Sequence, residues 1–408
     1  MTGTLPEIDL SRPEVLRDPL TAYGQARESG PLARLLIPGF GPTYALTRYD
    51  GARAMLGDAR FELDATSYMR PEVPEDCLPY MRTMSEMNGA EHARLRKLVA
   101  PAFTPRRAAE FRPRIAAIVD ALLDELPAHA DGGQTDLLPH FARPLPMDVI
   151  CALVGIPEED RPRWREYGAT VAGAAGADFA RAIPGIMAGA KAAVAARRDH
   201  PHSVGGDLVG DLVRAQDEDG DRLSDTEIVT LVWHLVIAGQ TPTNLIANAV
   251  AALLSHPDQL AALRADPALM PRAVEELTRW CGPAQLAVPR QARGDVELYG
   301  TTVPHGAKVT VLISAANRDP RAFDDPDRLD LARVPATGHL GFSHGPHFCL
   351  GASIARVQTQ VALTALLRRF PRMALAAPAE ELQAVDPGTR RLTALPVTLW
   401  ADSGPRPS

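Results

Sequence analysis

Cys349 sits in the string Phe342-Ser343-His344-Gly345-Pro346-His347-Phe348-Cys349-Leu350-Gly351, just before a helical pattern that runs from Leu350 to Phe370. A thiol at a helix N-terminus meets unpaired N–H groups and the positive end of the helix dipole, and both favour the thiolate. Gly345 and Gly351 bracket it, so backbone can approach closely on either side. A thiolate in a glycine-lined loop is a good metal ligand. No Cys-x-x-Cys partner stands near, which argues against a zinc or iron–sulfur site. A single thiolate suits haem iron, where it pushes electron density toward O–O cleavage.

The same loop, Phe-Ser-x-Gly-x-His-x-Cys-x-Gly continuing to Ala355-Arg356, resembles the haem-binding loop of the cytochrome P450 family, the haem-thiolate monooxygenases. Ser343 stands where that family most often has glycine. Other landmarks follow in the family's order. Glu276-Leu277-Thr278-Arg279 resembles its Glu-x-x-Arg helix, whose i,i+3 spacing puts acid and base on one face. His339 is expected to support that pair. His92 and Arg96, one helical turn apart, resemble the pair that holds a haem propionate in bacterial members. Arg290, after Pro289, matches the strand arginine for the other propionate, and His347 matches a further donor. Together they are four donors for two carboxylates, and arginine suits carboxylate forks. Phe342 and Gly351 complete the implied cofactor-binding set. Cys77, Cys151 and Cys281 match nothing in the family's chemistry and are expected to be ordinary buried or half-buried thiols.

The resemblance covers about residues 15 to 400. It implies a mainly α fold with small β-sheets and a long central helix over the haem. It implies haem b (iron protoporphyrin IX) with Cys349 as axial ligand, O2 as co-substrate and a small hydrophobic substrate. Electrons would come from NAD(P)H through a ferredoxin and a ferredoxin reductase. Arg94, Lys97, Arg106 and Arg107 are candidates for a basic face that docks an acidic ferredoxin. Substrate contacts would come from residues 62–90, 165–190, Trp233 to Thr241, Ala284 to Val288 and Arg391 to Ala394.

One segment departs from the family. Ser224-Asp225-Thr226-Glu227 is a capping box, and apolar residues run on to Ser255 before His256-Pro257 stops the helix. About 30 residues at 1.5 Å each span roughly 45 Å, and apolarity nearly all round predicts burial. Pro242 interrupts it and cannot bond the carbonyl of Ala238, which would leave that carbonyl free for water or a ligand. Where the family shows Ala-Gly-x-acid-Thr-Thr, this chain reads Ala238-Gly239-Gln240-Thr241-Pro242-Thr243. Matching the Ala-Gly pair puts Thr241 on the acid and Pro242 on the threonine. Shifting by one puts Ala238 on the glycine, Gln240 on the acid and Thr241 on the catalytic threonine. The second register is preferred because its ungapped distance to Glu276 suits the family. Thr241 would then deliver protons to bound oxygen, and Gln240, which does not titrate, would orient water or substrate. The alternatives are a peroxide-driven haem-thiolate enzyme, suggested by the missing acid and Pro242, and a non-catalytic haem protein.

The whole chain has 408 residues, a net charge of −7 and 46% hydrophobic residues. Its acidic balance argues against a nucleic-acid binder, and four cysteines are too few for a disulfide scaffold. Met1 to Ser11 carries no signal-peptide pattern, and no run of about 18 apolar residues exists, so no membrane span and a cytoplasmic location are expected. One haem domain over residues 1–408 is expected, with frayed ends at about 1–14 and 401–408 and no length left for a fused reductase. Helices are expected at 22–29, 49–56 and 350–370, and in most of 91–280. Short strands are expected at 43–47, 296–298, 308–313 and 395–400. Residues 62–90, with Pro71, Pro74 and Pro79, read as an irregular loop in which Met69, Met81, Met84 and Met87 offer adaptable apolar contacts. Small residues at Ala169, Ala172, Gly173, Ala174 and Gly176 suggest room for a large ligand.

Overall fold

A computed structural model describes residues 5–39, 41–68, 72–173, 177–199, 207–218, 223–334 and 336–400. Met69, Ala174, Gly176 and residues 1–4 and 401–408 lie outside the described residues, and so do the side chains of Ala172 and Gly173. Residues 5–14 do not fray as expected: Glu7–Asp9 pairs in parallel with strand Leu32–Ile37, and Ile8 and Leu10 are buried beneath it.

The capping box forms as expected. Ser224 Oγ accepts the Glu227 N–H at 3.2 Å, and Glu227 returns a carboxylate oxygen to the Ser224 N–H at 2.8 Å. The helix that starts there runs over Asp225–Ala238, and a second runs over Pro242–Ser255, each of 14 residues. The continuous long helix is therefore two collinear-in-sequence halves with the break at Gly239–Thr241. Pro242 opens the second half, where its missing N–H would have had no intrahelical partner. The Ala238 carbonyl is not free, contrary to expectation: the Thr241 N–H reaches it at 3.3 Å and the Thr241 hydroxyl at 2.9 Å. The chain tightens to i→i+3 bonding here, with Gln240 N–H on Ile237 O at 3.4 Å and Thr243 N–H on Gln240 O at 2.9 Å. Gly239 is required at this point, because a Cβ would lie 2.5 Å from Ile150 Cγ1.

The two halves are buried nearly all round. Helices Pro144–Val154 and Ala177–Asp199 pack on the first; Met270–Cys281 and Ala352–Arg369 pack on the second; Pro105–Glu125 lies along Ala352–Arg369. Phe141, Trp164, Ile246, Leu277 and Leu366 are fully buried in the shared core.

The sheets are small. A mixed six-stranded sheet has the order Glu7–Asp9, Leu32–Ile37, Gly41–Leu46, Lys308–Val311, Arg290–Ala292, Phe61–Glu62. Arg290 lies opposite Val309 in an antiparallel pair, which fixes its side-chain face. Pro396–Thr398 pairs with Gln134–Asp136, and Val296–Leu298 forms a hairpin with Thr301–Val303.

Among the described residues of 62–90 there are three short 3-10 turns, at Ala65–Ser67, Glu75–Tyr80 and Met84–Glu86. Met81, Met84 and Met87 are buried in the main core, and Met84 also lines the cavity described below, an apolar contact of the kind expected. Proline punctuation makes such a segment look irregular, yet short turns bury Met81, Met84 and Met87. Among the described residues no helix is long and apolar enough to cross a membrane.

Candidate active site

Cys349 lies in a tight loop between the core and the Ala352–Arg369 helix. Its N–H bonds the Phe342 carbonyl at 2.8 Å, and the Phe348 N–H bonds Gly345 O at 3.0 Å. Gly345 has φ +72°, and a Cβ there would sit 2.7 Å from Leu56 O, so no other residue fits. Ser343 has φ +64°, a left-handed conformation that costs a non-glycine residue about 1–2 kcal/mol. The Cys349 side chain is exposed to a cavity of about 430 Å³. Burial of the sulfur pushes its thiol up, while the N–H groups of Gly351 and Ala352 and the charges of Arg96 and Arg356 oppose that shift. The net direction is upward.

His92, Arg96, Arg290 and His347 converge on the same cavity from three elements. His92 and Arg96 come from helix Gly89–Val99, Arg290 from its strand, and His347 from the turn Gly345–His347. The His92 and His347 rings stack with centroids 4.3 Å apart. Arg96 bonds Phe348 O at 2.6 Å, and Arg290 bonds Leu56 O at 2.9 Å. Burial holds His347 down to about 3, and His92, Arg290 and Arg96 push the same way. Four donors thus crowd together, and none is hydrogen-bonded to a carboxylate among the described residues. A cluster short of anions beside a thiol fits a haem, whose two propionates would supply the missing charge.

The Glu276–Arg279 pair is buried, with its two bonds at 2.7 and 2.8 Å. Arg279 also bonds the carbonyls of Asn317 and Pro326, each at 2.8 Å. Glu276 takes a second guanidinium, from Arg333 at 3.0 Å, and the Asp330 N–H at 3.1 Å. Sequence reasoning missed Arg333, which is 57 residues from its partner. His339 does not join this pair: its Nε2 lies 3.3 Å from Glu275, which also accepts Arg356 at 2.6 Å. Burial works against the Glu275 charge, yet His339 and Arg356 bring its carboxyl down to about 2.

The opposite wall is formed by the broken helix. Ala238, Gly239, Thr241 and Pro242 line the cavity. Gln240 does not. Its amide lies against Gly168, whose Cβ, if present, would sit 2.9 Å from Oε1. The turn at the break rotates it away, so it cannot orient water in the cavity as expected. Trp233 likewise turns out of the wall, donating to Tyr80 O at 3.1 Å. Tyr68, Ser85 and His234, which lie in the segments expected to meet substrate, do face the cavity.

Burial holds His234 down to about 4 from an ordinary 6.5. The unfolded ring takes its proton first as pH falls, so this contribution is present above about 6.5 and is lost on descent through about 4. At about 1.36 kcal/mol per unit it is worth up to about 3 kcal/mol. Urea unfolding of a His234→Phe variant is expected to lose that slope between pH 6.5 and 4; an unchanged slope would contradict it.

Comparison with known proteins agrees with this geometry. The family model described as Cytochrome P450 matches residues 190–374. The chain is 41% identical to the cytochrome P450 monooxygenase PikC of Streptomyces venezuelae, over 97% of this chain and 95% of that one. It is 37% identical to the 6-deoxyerythronolide B hydroxylase of Saccharopolyspora erythraea, over 88% and 90% respectively. It superposes on the crystal structure of myxobacterial cytochrome P450 CYP267B1, in complex with myristic acid, with a TM-score of 0.85 at 35% identity, covering 96% of this chain and 99% of that one. With a cysteine loop, a donor cluster and a buried Glu–Arg pair placed as described, and likeness over nearly its whole length, this chain belongs to the cytochrome P450 family.

Proposed function

We propose that the protein is a monooxygenase that takes O2 and two electrons and inserts one oxygen atom into an apolar organic molecule, by hydroxylation or epoxidation in secondary metabolism. Electrons pass from NAD(P)H through a ferredoxin reductase and a ferredoxin. The observation that carries this reading is the Cys349 thiol facing a mostly apolar cavity beside four uncompensated donors. Bound haem supplies the oxygen activation. The chain's own residues do the rest. Cys349 ligates the iron, His92, Arg96, Arg290 and His347 hold the propionates, and Phe342 and Gly351 shape the loop around the sulfur.

Thr241 is the proton-handling residue. Its hydroxyl hydrogen is engaged by Ala238 O at 2.9 Å, so at rest it offers lone pairs to the cavity and accepts from water. Turning that hydroxyl around costs about 0.5–1.5 kcal/mol, a small fraction of a catalytic barrier. Water completes the relay, since the Gln240 side chain is turned out of the cavity against Gly168. A Thr241→Ala variant is expected to keep consuming reductant while releasing peroxide, with product per electron pair falling at least about tenfold. Full product yield in that variant would overturn the assignment.

The basic docking face is smaller than the sequence suggests. Arg94 pairs with Glu227, and Arg106 and Arg107 share Glu110 at 2.9 and 3.6 Å. Lys97 remains exposed on that face. Turnover under labelled O2 with a ferredoxin and its reductase tests the reading: one labelled oxygen per product is expected. Equal turnover with peroxide alone would replace it by the peroxygenase alternative.

A further inference from the structure

The cavity half that faces the broken helix is lined by apolar side chains such as Leu63, Met84, Val149, Ile150, Leu235 and Leu286. Beyond the four propionate donors, no lining residue among those described carries a formal charge at neutral pH. Three polar side chains stand together within it. The Tyr68 hydroxyl donates to Ser85 O at 3.3 Å, and Ser85 Oγ lies 3.1 Å from His234 Nε2. They come from three places in the chain: the end of the Ala65–Ser67 turn, the Met84–Glu86 turn and the Asp225–Ala238 helix. Ser85 is held at both its backbone and its side chain, so its hydroxyl has a defined position.

The direction of the Ser85–His234 bond follows from the other ring nitrogen. His234 Nδ1 is buried with no hydrogen-bond partner. A buried N–H without a partner is rarer and costlier than an under-satisfied acceptor. The neutral ring therefore carries its proton on Nε2 and donates it to Ser85 Oγ. Ser85 Oγ then has its own hydrogen left over, and its half-buried side chain leaves the cavity as the place to spend it. Because burial keeps His234 uncharged near neutrality, the corner holds no cation to attract a carboxylate.

Resting on the monooxygenase reading above, we propose that Ser85 donates its hydroxyl hydrogen to a neutral oxygen of the substrate, a ketone, ester or hydroxyl oxygen on an otherwise apolar skeleton. His234 and Tyr68 are positioning residues that hold Ser85 for this contact. The pair selects neutral oxygenated substrates over hydrocarbons and over carboxylates of similar size.

Calorimetric binding to the haem-loaded protein tests this without turnover, so a failure of catalysis and a failure of this contact are told apart. The probes are cyclododecanone, its hydrocarbon isostere methylenecyclododecane, and dodecanoate. The ketone is expected to bind about five- to tenfold more tightly than the isostere, the value of one added hydrogen bond. Ser85→Ala is expected to erase that preference, and Ser85→Thr, which keeps the hydroxyl, to retain it. Dodecanoate is expected to bind no better than the isostere. Equal affinity for ketone and isostere in the unaltered protein, a preference that survives Ser85→Ala, or tightest binding of dodecanoate would each overturn the proposal.

Discussion

Replacing Cys349 by serine is expected to remove the thiolate signature from the carbon monoxide difference spectrum and to take product formation below detection. Replacing Cys77, Cys151 or Cys281 singly by alanine is expected to leave the signature in place. The contrast rests on placement. Cys349 opens onto the cavity, whereas the other three are buried, at 2%, 0% and 1% exposure. Cys281 Sγ donates to Leu277 O at 3.2 Å within its own helix, and burial pushes its thiol up to about 11. Burial likewise raises Cys77 and Cys151, so all three are protonated packing groups. A serine at 349 keeps the loop's shape but offers no anionic sulfur. A Cys349→Ser protein with an intact thiolate spectrum would remove the axial ligand from its assigned place.

Glu276→Ala is expected to be the most destabilising single change of the buried polar network, at about 3–5 kcal/mol in urea unfolding. Glu276 is the only carboxylate among the described residues bonded to both Arg279 and Arg333, and its removal leaves both buried guanidinium groups without their carboxylate. Arg333→Ala is expected to cost less, about 1–3 kcal/mol, because Glu276 would keep Arg279 and the Asp330 N–H. The reverse order would mean that Arg333, and not the carboxylate, anchors the segment leading to the cysteine loop.

Local chemistry was legible wherever spacing encodes geometry. The capping box, the proline break, the i,i+3 pair and the glycine-bracketed cysteine all depend on neighbours within one or two turns, and each formed where the residues indicated. What depends on distant chain was not legible. Arg333 reaches Glu276 only because residues 324–333 fold back over helix Met270–Cys281. Ser85 meets His234 across 149 residues. Gln240 shows the intermediate case: its place in the string was known, but the tight turn after Ala238 rotated it out of the cavity. His339 was near its expected network and chose the adjacent glutamate, a one-residue difference that helix phase decides.

The break in the central helix also constrains how this protein can vary. Ile150 Cγ1 occupies the space that any side chain at position 239 would need, and a β-branched residue has few rotamers into which to retreat. Positions 150 and 239 are therefore not independent coordinates in sequence space. A larger residue at 239 becomes accessible only after 150 shrinks, so a mutational library built one position at a time will find this part of the cavity wall frozen, and a library of paired changes will not.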